Sequence, residues 1–182
     1  MASCDITAGF SLGCRDNAGG IKTLYILSGS LPESGVTETA GEVTDLSGDG
    51  IFYQFDLTRG TSDFTETING STENGTVFYE STINAVFLKM QSALRNQMKV
   101  LAQNPDLKIV VETNNAGTEG DKFFYIGKVY GAQLNGGQGQ TGTAIGDANG
   151  YTLTFTAQEP EPAIPVSGSD LSTVLTGITI LQ

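Results

Sequence analysis

The stretch from Ile51 to Ala85 constrains this chain more than any other. Ile51, Tyr53, Phe55 and Leu57 alternate with Phe52, Gln54, Asp56 and Thr58, the period of two that gives a strand one apolar face. After Arg59-Gly60 the extended pattern resumes from Ser62 to Ile68. Asn69-Gly70 and Asn74-Gly75 then bracket a turn, both pairs favouring positive φ. Thr76 to Ala85 returns as a strand, with Val77, Tyr79 and Ile83 set against Phe78, Glu80, Thr82 and Asn84. Together the arms predict a long hairpin over about residues 51–85. If straight, the arm from Ile51 to Ile68 reaches roughly 60 Å at about 3.3 Å per residue. A compact domain cannot cover such a ribbon, and isolated hairpins are marginal in water, so the pattern predicts pairing with other copies of the chain. The alternative is a kink at Arg59-Gly60 that folds the ribbon back onto its own domain.

Composition agrees with strands and turns. The chain of 182 residues holds 24 Gly and 22 Thr, and only 16% of it is charged, against about 25% in ordinary domains. It has no His, which excludes Ser-His-Asp and Cys-His nucleophilic machinery and His-ligated zinc. Acidic residues outnumber basic ones 20 to 9, for a net charge of −11. Tight nucleic-acid binding needs Lys and Arg to displace counterions, so it is disfavoured. DNA passing without being held is compatible with like-charge repulsion. No run of 18 apolar residues is present, so no membrane span is expected. Met1–Asp5 lacks a basic region followed by an apolar stretch, so synthesis in the cytosol without a signal peptide is expected. Cys4 and Cys14 read as reduced structural thiols, as a disulfide closing a small loop, or as half of a metal site that would need two further ligands from Asp or Glu and matches zinc-ribbon spacing poorly.

The remaining organisation is that of one domain over 1–182. An N-terminal arm covers 1–20, followed by a strand at Ile21–Leu27, a short strand around Val43–Leu46 and a tight turn at Ser47–Gly50. Phe87, Met90, Leu94, Met98 and Leu101 form an apolar stripe at helical spacing, predicting one amphipathic helix over about 86–104, ended at Asn104-Pro105. Strands are expected at Leu107–Thr113 and Lys122–Tyr130, joined by a turn at Asn114–Gly120. Gly131–Gly150 reads as a Gly/Gln/Asn-rich connection, and Tyr151–Ala157 as a strand with its threonines outward. A Pro-containing tail over about 158–182 either docks on a neighbour or adds a short strand. The fold class is mainly β (α+β): a β-sandwich or partial barrel with a long hairpin and one amphipathic helix packed on it.

Motifs of chemistry fail on context. Gly137-Gln-Gly139-Gln-Thr-Gly142 matches a dinucleotide fingerprint in form, but a Thr-rich strand follows where a helix is required, and Thr143 stands where a Walker loop needs Lys. Asp45–Gly50 and Asp147–Gly150 are oxygen-rich turns without EF-hand spacing. No catalytic, cofactor-binding or metal residues are therefore assigned. Asn69 and Asn74 head formal glycosylation sequons that turn chemistry already explains. Asp56, Asp63, Glu66, Glu73 and Glu80 lie along the ribbon, with Arg59 its single base from Ile51 to Ile83. Glu66 and Glu80 are candidates for a glycosidase carboxylate pair, but no Trp is present to line a sugar cleft.

The order of arm, strand, long hairpin, amphipathic helix and closing sandwich resembles the major tail tube proteins of long-tailed bacteriophages. The runs CDITAGFSLGCRDNAGGIKTLYI and GTAIGDANGYTLTFTAQEPEPA are similar to phage structural proteins of this kind. The resemblance implies a virion protein, made in the host cytoplasm, whose hexameric rings stack into a tube for DNA delivery. Its partners are then itself, tape measure, tail terminator or baseplate proteins, and DNA in transit, with no membrane and no cofactor. On that reading Asp56, Glu66 and Glu80 are expected on an acidic lumen face, and Asn69, Gly70, Glu73, Asn74 and Gly75 at an inter-ring turn. An extracellular or surface β-sandwich used in adhesion or fibre building is the alternative.

Overall fold

The computed structural model describes Gly9, residues 17–115 and residues 122–182. Most of the arm at 1–20, with Cys4 and Cys14, and most of the turn at Asn114–Gly120 lie outside the described residues. The strands are β1 Ile21–Ser30, β2 Val36–Thr39, β3 Glu42–Asp56, β4 Asp63–Ser71, β5 Thr76–Leu88, β6 Ile109–Thr113, β7 Phe123–Ile126, β8 Ala132–Gln140, β9 Gly150–Glu159, β10 Ile164–Val166 and β11 Leu175–Leu181. One helix, α1 Ser92–Gln103, lies between β5 and β6.

The chain is a β-sandwich with one helix. Its first sheet has seven strands, and its pairings run β3–β1–β6–β7–β10 and back to β3, so five of them close into a small barrel. Tyr25, Leu27, Val43, Leu46, Phe52, Val110, Phe123 and Tyr125 fill its interior. Alternate residues on the same strands, Leu24, Ile26, Ile109, Val111 and Ile126, face outward onto the second sheet. That sheet has four strands in the order β4-β5-β9-β8, all antiparallel. Its inner face contributes Ile83, Ala85, Phe87, Leu153, Phe155 and Ala157 to the core between the layers. Leu94, Met98 and Leu101 of α1 close one side of that core.

The long ribbon does not run straight. β3 ends at Asp56, paired with β1, and β4 begins at Asp63 in the other sheet. Between them Thr61 donates both its N–H and its Oγ1 hydroxyl to the Thr58 carbonyl, and Gly60 takes φ +76°, a left-handed conformation open to Gly. The hairpin therefore spans Asp63–Leu88 rather than 51–85, and the kink at Arg59-Gly60 is realised. The helix also starts later than residue 86. Phe87 continues the inward alternation of Ile83 and Ala85, so β5 runs to Leu88 and only the later part of the apolar stripe is helical.

Three further expectations are corrected, and the tail takes its strand alternative. Ser47–Gly50 is no tight turn but the middle of β3. Its glycines admit neighbouring backbone: Gly50 sits opposite Gly29, and a Cβ on Gly29 would lie 2.2 Å from the Asp49 carbonyl oxygen. The stretch at 131–150 contains β8, an edge strand in its own right. Within the 158–182 tail, β10 closes the barrel against β7, and β11 pairs in parallel with β3 from Leu46 to Tyr53. The strand expected at Lys122–Tyr130 is shortened to β7, because Gly127 at φ +88° turns the chain away.

Candidate assembly surface

Because β5 and β9 alternate, burying Ile83 and Phe155 forces their even-numbered neighbours onto the far face of the four-stranded sheet. Register places Thr65, Thr67, Glu80, Thr82, Asn84, Thr152, Thr154, Thr156, Gln158, Gln133 and Gln138 there. Side chains on this face bond one another. Asn84 Nδ2 donates to Asp63 at 3.2 Å and Thr154 Oγ1 donates to Asn84 Oδ1 at 3.1 Å. Gln158 Nε2 donates to Glu80 at 3.0 Å, and Asn135 donates to Thr156. The four strands contain no Lys or Arg. The face is thus mainly a hydroxyl and amide array carrying the carboxylates Asp63 and Glu80, with Phe78 and Val86 as apolar members.

No strand pairs with the outer side of β4, and β8 is bridged on its outer side at Ala132 alone, whose N–H and carbonyl exchange hydrogen bonds with Leu107, leaving the edge beyond it open among the described residues. β4 and β8 are each nine residues long and contain neither Lys nor Pro, two of the usual devices that stop an edge from pairing. At one end the hairpin outruns its support, since β5 pairs with β9 only as far as Tyr79–Glu159. Ile68 and Val77, 68% and 59% exposed, stand on the inner side of this overhang with no core beneath them. The turn at its tip is closed by the Asn74 N–H donating to Ser71 Oγ at 3.3 Å, with Gly75 at φ +62°.

The acidic residues expected on one lumen face are separated. Asp56 is in the barrel sheet, accepting from Gln54 Nε2 at 2.8 Å. Glu66 pairs across from Ser81 and turns toward the inner side, where it accepts from the Ala163 N–H at 2.7 Å. Glu80 pairs across from Thr67 on the polar outer face. The reasons are the kink, which sends Asp56 to another layer, and register, which puts Glu66 and Glu80 on opposite sides. Asn69, Gly70, Glu73, Asn74 and Gly75 all lie at the protruding hairpin end. Sequence reasoning missed Asp63, Asn84, Gln133 and Gln158 as members of the polar face. The outward threonines of β9 were the signal that could have extended it to neighbouring strands.

Over the same end of the sheet lies a groove of about 600 Å³, walled by Phe78 and Tyr130 and floored by Gln133, Asn135, Thr156 and Gln158. Tyr130 is 66% exposed, yet its loop is fixed. The buried Glu159 carboxylate accepts backbone N–H groups from Tyr130, Val129 and Gly131 at 3.0, 3.1 and 3.2 Å. Burial pushes Glu159 above its ordinary value of 4.5, although these amides and Lys108 pull it down. Ionisation is therefore harder in the folded chain, and stability falls as pH rises from about 4.5 through the folded value. Urea midpoints measured from pH 4 to 7 are expected to fall less steeply with rising pH in Glu159→Gln than in the natural chain.

Among the described residues no cluster of three or more metal-ligating side chains occurs, and no helix is long and apolar enough to cross a membrane. What the geometry defines is a two-layer β protein with one open-edged, polar-faced sheet. No family model, curated protein or solved structure matches the chain.

Proposed function

We propose that this protein is a structural subunit that closes into rings through the free edges of its four-stranded sheet, the rings stacking into a phage tail tube through which DNA passes. One observation carries the reading. Across the sheet, β4, β5, β9 and β8 alternate in direction, so β8 of one copy meets β4 of the next in the antiparallel sense. Edge pairing then continues the sheet without a change of pattern, and ring closure removes every edge. Six subunits give a barrel of 24 strands, with a backbone diameter of roughly 45–50 Å at ordinary strand spacing and tilt. Barrels of fewer strands already enclose an aqueous channel.

In such a ring the barrel and α1 lie outside, and the polar face lines the lumen, with the Phe78–Tyr130 groove at its rim. Hydroxyls, amides, Asp63 and Glu80 then meet the phosphates with no basic residue to hold them. Asp56 and Glu66 are not lumen residues in this arrangement. The ring has no chemistry to perform; its partners are further copies, tape measure, terminator or baseplate proteins of the virion, and DNA in transit.

The test is negative-stain microscopy with analytical ultracentrifugation of the purified chain. Annular particles or tubes are expected; a strict monomer at high concentration at every salt tested overturns the proposal. Ile68→Lys is expected to keep the monomer's circular dichroism while abolishing rings. The side chain is exposed in the single chain, and a charge pointing inward from an edge strand blocks pairing.

A further inference from the structure

Resting on the ring reading, we infer that rings stack by a head-to-tail contact in which the β8–β9 loop of one copy, led by Ile145, seats in the Phe78–Tyr130 groove of a second copy. Both features belong to the same pair of strands. The loop at 141–149 joins β8 to β9 at one end, and the groove lies over their other end. Translation of one copy along these strands therefore carries the loop toward the groove.

The loop is a prepared knob. Ile145 is fully exposed, a large apolar side chain with no cover. It is nonetheless held in place, since Asp147 Oδ2 accepts the N–H groups of Thr143 and Ala144 at 2.7 Å each, and Gly142 takes φ +69°. The groove is a prepared hole, with Tyr130 on one wall fixed by Glu159 and Phe78, 38% exposed, on the other. Ordering costs at both surfaces are thus met before contact.

Charge favours a second copy as the occupant. Beside the loop lies Lys89, whose backbone N–H donates to the Asn149 carbonyl at 2.7 Å. Lys89 has no ion pair among the described residues. The groove end carries Glu80, which accepts from Gln158 of the groove floor, and Glu73 at the hairpin tip. Two unlike ends on one molecule make a heterologous contact that does not close, which is the geometry of a filament.

Ile145→Asp tests the contact, with circular dichroism to verify the fold. Rings are expected to persist while tubes disappear, the critical concentration for pelletable polymer rising at least tenfold. In a Cys4→Ser/Cys14→Ser background, Ile145→Cys with Phe78→Cys treated with a short bismaleimide is expected to give a ladder of covalent multimers, which neither single cysteine gives. Tubes of Ile145→Asp at the natural concentration, or polymer of the natural chain with no ladder from the double-cysteine protein, overturn this contact and leave the ring reading intact. Absence of rings from the natural chain overturns both.

Discussion

Phe155→Ala is expected to lower the free energy of unfolding by about 3–5 kcal/mol, the range for emptying a large aromatic site in a packed core. Phe155 is wholly buried on β9, a central strand of the four-stranded sheet. It pairs across from Ile83 on one side and Leu134 on the other, within the core shared with Leu24, Ile26 and Val111 of the barrel. Strands on both flanks restrain collapse, so much of the cavity persists. The measurement is urea unfolding followed by far-ultraviolet circular dichroism. A loss below about 1 kcal/mol would show that the two layers do not share this core.

Glu112→Ala is expected to cost less, about 1–3 kcal/mol, because the buried Tyr25 hydroxyl loses its acceptor while Lys22 and Lys122, 63% and 29% exposed, turn to water. Glu112 is 4% exposed at the mouth of the barrel. Its Oε1 lies 3.2 Å from both Lys22 Nζ and Lys122 Nζ, and its Oε2 accepts from the Tyr25 hydroxyl at 3.1 Å. Burial alone pushes this carboxyl up, but Lys122 and Lys22 outweigh it and hold the group below its ordinary value of 4.5. The stabilisation is present above about pH 4.5 and is lost as pH falls through the lower folded value. Glu112→Gln should therefore flatten the acid limb of the stability curve, while Glu159→Gln changes the slope above it. Opposite windows separate the two carboxylates in one set of titrations.

Alternation made the layers of this fold legible. Tyr151–Ala157 reads as a strand because Leu153, Phe155 and Ala157 are buried and the threonines between them are not. Period alone could not say where the ribbon bends, since Ile51–Asp56 and Asp63–Ile68 carry the same pattern in different sheets. Gly60 held that information, but a Gly in a turn does not announce which layer the next strand joins. Phe87 satisfied two periods at once, inward in β5 and first in a helical stripe, and the backbone partners of β9 decided for the strand. Gly136, Gly137 and Gly139 hid β8, because glycines leave no side-chain alternation to read. β11 is recognisable only beside β3, where a parallel neighbour supplies its hydrogen bonds. The acids were visible one by one; their division between faces is a matter of register, which no local pattern encodes.

The even strand count of the open sheet bears on symmetry. Four alternating strands per copy satisfy antiparallel pairing at the joint whether five, six or seven copies close. Hydrogen bonding in such a ring is therefore blind to stoichiometry. In the proposed ring the number of subunits would fall instead to the wedge angle of the body behind the sheet, set by the girth of the five-stranded barrel and the helix beside it. If the chain assembles as proposed, volume changes on that outer wall, far from the polar face, are the ones that would retune the bore.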